Sequence, residues 1–420
     1  MLFDLEVLSE GRKKTIRYDN VNTTFTDSET GEIFFKDVRE KEDDCIPKIF
    51  DIDFSDIGTL YITLGLKCNF SCKYCYQNSF RDKTQVCTCT PERAEKLIAI
   101  LKSRSDLKMQ QIAFWGGEPL VHWKGLKVLI PGLRDIYPRV KINFPTNGAL
   151  LTTEIVEFLE SYHVAFSLSY DGKISNRDVS VLDDKDVVNA LRHLKNGVTV
   201  MSTQNRASIP IKAVQREFDE LGVSLREIAS YSIARCSPYN RDQASEILIP
   251  TEKLEGMATY FYDTLHAGED VRKKYHGLFS RFNNCVKNFY LGKRLDSIFT
   301  CYCPNSVGRD VTIDCDGKIF NCMNIPVHQI GTLSNFKPFD ASYIFNHHTK
   351  KQNCFNCPYV MCCNGGCPMV HDENSIEFKV NCNNLKATAI PFFRTTLERL
   401  IGVYLKKITR VSDGKIFGEW

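Results

Sequence analysis

The sequence predicts an α/β protein: a partial (β/α)6 TIM-like barrel with a small β-rich appendage before it and a cysteine-rich segment after it. Three observations predict this. Between about residues 60 and 235, six short apolar runs alternate with helical stretches, the pattern of a parallel sheet with helices outside it. Residues 1–56 carry strand and turn signals but no strong helix. Ten of the 18 cysteines fall from Cys301 to Cys382, where apolar periodicity is scarce.

Taken in order, runs 3–8, 15–18 and 32–35 are candidate strands, with Glu29-Thr30-Gly31 as a turn. The six barrel strands are expected at 60–64, 111–115, 140–144, 164–168, 198–201 and 228–233. Thr90 followed by Pro91 is an N-cap and first-turn pair, so a helix should run from there to about residue 102. Residues 251–295 read as helical. Asp316-Gly317, between the apolar runs 311–313 and 318–320, reads as a hairpin turn. Residues 387–407 read as a closing amphipathic helix. The implied division is 1–56 appendage, 57–250 barrel, 251–300 helical linker, 301–385 cysteine-rich domain, and 386–420 C-terminal helix and tail.

Bulk composition narrows the function. With 43% hydrophobic and 25% charged residues over 420, the chain has the make-up of a soluble globular enzyme. A formal charge of +3 with no basic stripe does not point to nucleic acid. The opening Met1-Leu2-Phe3-Asp4-Leu5-Glu6 has no basic region before an apolar core, so it is not a secretory signal. No run approaches the roughly 18 apolar residues of a membrane span. The expected compartment is the cytoplasm, where clustered cysteines are metal ligands more often than disulfides. Neighbours such as Cys362-Cys363 are also too close for pairing within a cluster.

Directly after the first barrel strand comes Cys68-Asn69-Phe70-Ser71-Cys72-Lys73-Tyr74-Cys75, a CxxxCxxC loop at the strand's C-terminal end. That edge is where parallel barrels build active sites. Three thiolates on a cubane leave one iron without a protein ligand, free to chelate the amino and carboxylate groups of a small molecule. A zinc site would need a distant fourth ligand. At the second strand's end stands Phe114-Trp115-Gly116-Gly117-Glu118-Pro119; Thr146-Asn147-Gly148 and Ser169-Tyr170-Asp171-Gly172 end the third and fourth. Glycines allow close backbone approach, and a carboxylate suits an ammonium.

These motifs, in this order, resemble those of the radical S-adenosylmethionine superfamily. The resemblance implies that Cys68, Cys72 and Cys75 hold a [4Fe–4S] cluster. It also implies that Tyr74 packs near the adenine, and that Gly116, Gly117 and Glu118 hold the methionyl ammonium. Asn147 and Ser169 would line the cofactor pocket. No catalytic acid or base is identified.

The second half resembles the seven-cysteine SPASM extension. Cys303 is followed by 13 residues, Gly317, four residues and Cys322; then come Cys354-x2-Cys357-x5-Cys363-x3-Cys367 and Cys382. The resemblance implies two auxiliary [4Fe–4S] clusters, three clusters in all. Cys303, Cys322 and Cys367 would hold the first, with Cys301 as its fourth ligand and Cys285 as the rival. Cys354, Cys357, Cys363 and Cys382 would hold the second. Two zinc sites of four cysteines each are the competing reading. Cys315 and Cys362 fall off the pattern, and Cys45, Cys87, Cys89 and Cys236 read as structural residues.

Enzymes with this pattern modify peptides or protein side chains. The expected substrate is therefore a peptide or protein, leader-bearing peptides included, and the expected electron donor is a low-potential protein such as a flavodoxin or ferredoxin. Sulfatase maturases carry an aspartate base after the cysteine matching Cys322, where this chain has Met323. Methionine cannot take a proton, so the expectation is a maturase forming a thioether or carbon–carbon crosslink in a ribosomally made peptide. A non-catalytic iron–sulfur electron carrier is the reading from another class.

Overall fold

The computed structural model describes residues 1–35, 57–78, 81, 86–104, 106–173, 177, 179–207, 211–293, 295, 303, 310–324, 326, 328–334 and 351–420. Three antiparallel strands open the chain: β1 (Leu2–Ser9), β2 (Arg12–Asp19) and β3 (Thr24–Asp27). Next come β4 (Ile57–Thr63), β5 (Met109–Trp115), β6 (Lys141–Thr146), β7 (Val164–Ser169), β8 (Val198–Gln204) and β9 (Leu225–Ile233), paired in parallel in sequence order. Between them run α1 (Pro91–Ser103), α2 (Trp123–Ile136), α3 (Thr153–Ser161), α4 (Lys185–Arg192) and α5 (Ile211–Glu220).

Local chemistry sets these elements. Thr90 caps α1 by accepting from the Arg93 N–H, with Pro91 in the first turn, while Ala94, Leu97 and Leu101 turn inward at helical spacing. Thr152 and Asp184 cap α3 and α4 in the same way. β8 alternates strictly, burying Val198, Val200, Ser202 and Gln204. All six expected parallel strands are present, and among the described residues they form an open sheet. The free edge of β4 is taken by β10 (Asp310–Asp314), also in parallel, and β11 (Lys318–Phe320) and β12 (Gln329–Thr332) continue the sheet antiparallel. The result is an open nine-stranded sheet.

Two elements differ from expectation. Residues 32–35 form no strand: Ile33 makes a single bridge to Thr26, and Phe35 adopts a left-handed φ of 62° that breaks extended pairing. The strand lies earlier, at β3, because the Asp27 carboxylate accepts the Glu29 and Thr30 N–H groups and turns the chain there. The closing helix is displaced as well. After α6 (Thr251–Leu265), a short helix Glu269–Lys274 and α7 (His276–Tyr290), the long helix α8 runs Ile376–Ile401, capped by Ser375 and stopped by Gly402 at φ 68°. Residues 404–410 are a strand, β13 (Tyr404–Arg410), which buries Leu405 and Ile408. It pairs with β1 on one side and β14 (Ile416–Glu419) on the other.

The N-terminal strands are bound into the cysteine-rich half. Asn20 Nδ2 donates to the carbonyls of Phe355 (2.9 Å) and Cys357 (3.0 Å). Tyr18 stacks on Phe25 and meets Phe289 of α7 and Phe393 of α8. From α8, Asn384 Nδ2 donates to the Ala234 and Ile247 carbonyls and its Oδ1 accepts from Ile249 N, clamping the chain that leaves β9. No helix among the described residues is long and apolar enough to cross a membrane.

Candidate active site

The CxxxCxxC loop leaves the C-terminal end of β4, and all three of its sulfurs meet N–H donors. Cys68 Sγ accepts from Phe70 N (3.4 Å) and lies 4.0 Å from Asn147 Nδ2. Cys72 Sγ lies 4.0 Å from the Arg177 guanidinium. Cys75 Sγ accepts from Gln77 N (3.4 Å) and from Arg81 at 3.6 Å. Two guanidinium groups and three amide donors thus surround the three sulfurs. Burial pushes the Cys68 thiol up, with Glu118 and Cys75 adding to the rise and the Phe70 N–H and Arg81 opposing it. Bound metal is what would hold such a buried sulfur as the anion, so the donor set fits an iron–sulfur cluster.

The glycine segment after β5 lies against this loop. Gly117 N donates to Gly65 O and Glu118 N to Lys67 O, both at 2.9 Å. A Cβ on Gly116 would sit 2.2 Å from Gly65 O, and one on Gly117 2.1 Å from Lys67 O. The close approach these glycines serve is thus to the chain's own 65–67 segment. Glu118 is buried, and its carboxylate accepts from Leu120 N, Thr146 Oγ1 and Asn147 N. Burial raises its pKa, and those three hydrogen bonds oppose the rise.

Asn147, at the end of β6, bridges the parts: its N–H goes to Glu118 and its side chain to Asn69 Oδ1 (2.8 Å). Ser169 ends β7 with its side chain half-buried. Two residues beyond it is Asp171, a group sequence reasoning passed over. Fully buried, it accepts from the Tyr74 hydroxyl, from Arg177 Nε (2.9 Å) and from Thr203 N (2.6 Å). Arg177 also lies over the Tyr74 ring, 5.7 Å from its centroid. Burial works against the Arg177 charge, yet Asp171, Tyr74 and Cys72 hold it well above its ordinary value. The only sequence signal for this group was the carboxylate within the Ser169–Gly172 turn.

The second half reaches into the site through Asn324. Its Oδ1 accepts from Trp115 Nε1 and its carbonyl from Gln77 Nε2, both at 3.1 Å. This brings the segment after Cys322, Met323 included, to the mouth of the CxxxCxxC loop.

A separate cavity of about 50 Å³ is lined by Cys354, Cys357, Cys363, Cys367 and Cys382 together with Lys351. Lys351 is 3% exposed, and its ammonium donates to the carbonyls of Gly365 (3.0 Å) and Cys367 (3.3 Å). Burial raises the thiols of Cys354, Cys357 and Cys382, and brings Cys363 to about 11. A buried ammonium beside buried thiols suits an anionic occupant. The four cysteines expected to share a cluster are therefore together. Cys367 reaches the same cavity and also, with Cys322, the surroundings of Tyr76. Cys303 lies instead near Tyr61 of β4. The rival ligand Cys285 packs against Cys362, with the two sulfurs 3.3 Å apart. Cys301, like Cys45, lies outside the described residues. Cys236 is structural, its N–H and carbonyl clamped by Asn381.

Comparison with known proteins agrees with this geometry. Residues 62–197 match the radical SAM superfamily. The chain is 25% identical over 384 residues to the radical SAM cyclopropyl synthase TigE of Paramaledivibacter caminithermalis, covering 82% of this chain and 74% of that one. It is 24% identical over 381 residues to a cysteine-type anaerobic sulfatase-maturating enzyme of Clostridium perfringens, covering 80% and 95%. Among solved structures, native anSMEcpe with bound AdoMet superposes with a TM-score of 0.57 at 17% identity, over 82% of this chain and 99% of that one. With its cysteine loop, glycine segment and parallel sheet in one place, this chain is an enzyme carrying a radical SAM domain over residues 62–197, akin in sequence to maturases.

Proposed function

We propose that this protein is a peptide maturase that abstracts hydrogen from a ribosomally made peptide and forms a thioether or carbon–carbon crosslink. The observation carrying the reading is the full set of N–H donors on Cys68, Cys72 and Cys75, which suits a cluster bound by three thiolates with one iron open. When bound, that cluster and S-adenosylmethionine supply a 5′-deoxyadenosyl radical, at the expense of one low-potential electron from a flavodoxin- or ferredoxin-like donor. The chain's own residues orient and enclose. Glu118, Gly116 and Gly117 offer carboxylate and carbonyl acceptors to an ammonium, and the Tyr74 ring, fixed by Asp171, offers a face to an adenine. Asn147 and Ser169 border the same space.

Two auxiliary clusters belong to this reading. Cys354, Cys357, Cys363 and Cys382 would hold one beside Lys351; Cys303, Cys322 and Cys367, with Cys301, would hold the other. A role for them is to accept the electron released when the substrate radical closes its new bond. The division at residues 57–250 and 301–385 follows from this assignment.

Sulfatase maturation is the second reading, favoured by the 95% coverage of the Clostridium perfringens relative. Met323, tethered near the site by its neighbour Asn324, argues against it because a thioether side chain cannot act as a base. The deciding experiment is anaerobic. Reconstituted protein should hold about 12 iron atoms, as three cubanes require, and release 5′-deoxyadenosine with dithionite. Peptides encoded beside the gene should then lose two hydrogen atoms in mass, while a sulfatase-derived cysteine peptide stays unchanged. Oxidation of the sulfatase peptide would overturn the crosslinking assignment, and a loaded protein inert to S-adenosylmethionine would favour an electron carrier.

A further inference from the structure

Lys351 is a buried cation with no acid beside it. It stands directly before the short helix Gln352–Phe355, which carries Cys354, and it is 3% exposed. No carboxylate among the described residues pairs with it. The Glu373 carboxylate accepts instead from Gln352 N (2.9 Å) and Asn353 N (2.6 Å). A buried ammonium without a counter-ion is unfavourable unless an anion lies within its reach.

The backbone around it fixes where that anion belongs. Asn364, Gly365 and Gly366 are left-handed in succession, at φ 50°, 63° and 70°, which turns the chain tightly between Cys363 and Cys367. From this turn the carbonyls of Gly365 and Cys367 accept from Lys351 Nζ at 3.0 and 3.3 Å. An ammonium has three N–H donors and no lone pair, so one donor is left over. The side chain lines the cavity shared by Cys354, Cys357, Cys363 and Cys382, whose walls include the apolar Phe378 and Leu385. Lys386 borders the same cavity, but its side chain is exposed.

On the reading that these four cysteines hold a [4Fe–4S] cluster, we infer that Lys351 sets the cluster's reduction potential by donating its remaining N–H to a cluster sulfur. Reduction adds one negative charge to the cluster. A cationic donor at its sulfurs stabilises the reduced form more than the oxidised one, and so raises the potential. Apolar walls leave that attraction poorly screened. The direction is the one needed of a cluster that takes an electron from a substrate radical. The carbonyl contacts make Lys351 a positioning residue too, since they brace the turn between two cysteines, and the two roles separate in their effect on potential.

The test is a redox titration of the reconstituted full chain, followed anaerobically by electron paramagnetic resonance. C354A is expected to lose one cluster and thereby to identify its signal. K351M is expected to keep about 12 iron atoms and to move the midpoint of that signal alone to more negative potential. The expected shift is at least about tenfold in the one-electron equilibrium, or about 59 mV, with K386A unshifted. Loss of stability in K351M with full iron and an unmoved midpoint would reduce Lys351 to a brace and overturn the inference. A second measurement needs no variant of Lys351: with lysine labelled at Nζ by heavy nitrogen, pulsed resonance on the wild type should detect one lysine nitrogen coupled to that signal. Absence of the coupling would overturn the inference even if K351M fails to load. C354A retaining every cluster would instead overturn the cluster assignment, and this inference with it.

Discussion

At the scale of single residues, the buried pair Asp171 and Arg177 does most to shape the candidate site. One carboxylate joins the Ser169–Gly172 turn, the aromatic of the cysteine loop and strand β8 through three hydrogen bonds. Removing its cation in R177A would strand a buried charge, and breaking such a pair typically costs about 3–5 kcal/mol. Urea denaturation of R177A should register a loss of that order, with R177K recovering part of it; an unchanged midpoint would count against this role. His122 makes a pH prediction. Burial, helped by Lys67, lowers its pKa to about 4, and its Nε2 has no hydrogen-bond partner. The unfolded chain, with an ordinary histidine near 6.5, therefore binds more protons between those values. Stability from this group is full above pH 6.5 and is lost as pH falls toward 4. Against wild type, H122L should show a shallower fall in melting temperature over that window. Cysteine spacing and the glycine pair were legible in sequence. Asp171, Arg177 and Arg81 were not, because what marks them is burial against sulfurs and rings that only the folded chain assembles.

At the scale of elements, the parallel strands and the helices between them were legible because alternation and capping are local. Thr90-Pro91 announces its helix within four residues. The end of α8 was misread because a helix stopped by Gly402 and a strand beginning two residues later share apolar residues that fit either period over a short window. The contact between the glycine segment and the cysteine loop was legible as a motif but not as a packing constraint. G117A tests that constraint. A methyl group 2.1 Å from Lys67 O and 2.6 Å from Leu66 O cannot be relieved by rotating a side chain. Weakening of S-adenosylmethionine binding by at least about a hundredfold, some 2.7 kcal/mol, is expected in equilibrium dialysis. Near-normal binding would mean that the two segments are free to separate.

At the scale of the whole molecule, sequence reasoning divided what the fold joins. β13 and β14 complete the sheet begun by β1, so residues 1–27 and 404–419 form one five-stranded unit. Pairing at such a separation leaves no trace in local pattern. The same holds for β10, which reads as part of a hairpin but also takes the open edge of β4. Deleting residues 403–420 should uncover β1 along its length and expose Phe3, which packs edge-on against Phe417. Hydrogen exchange should then speed up in β1 and β2 and, through Asn20, around Cys354–Cys357, while the parallel strands β5–β8 keep their protection. Uniform loss of protection would show instead that the sheet is needed for the entire fold.

Phe3 pairs with Arg410, a partner the ribosome makes roughly four hundred residues later. At a synthesis rate of about 5–20 residues per second, β1 waits tens of seconds for that strand, while the parallel sheet behind it has all its parts. The loop bearing Cys354 and Cys357 leans on Asn20 and so waits with it. Under the proposed assignment, metal in the cavity lined by Cys354 and Cys357 would accordingly load late in the protein's biogenesis, after the CxxxCxxC loop has been made.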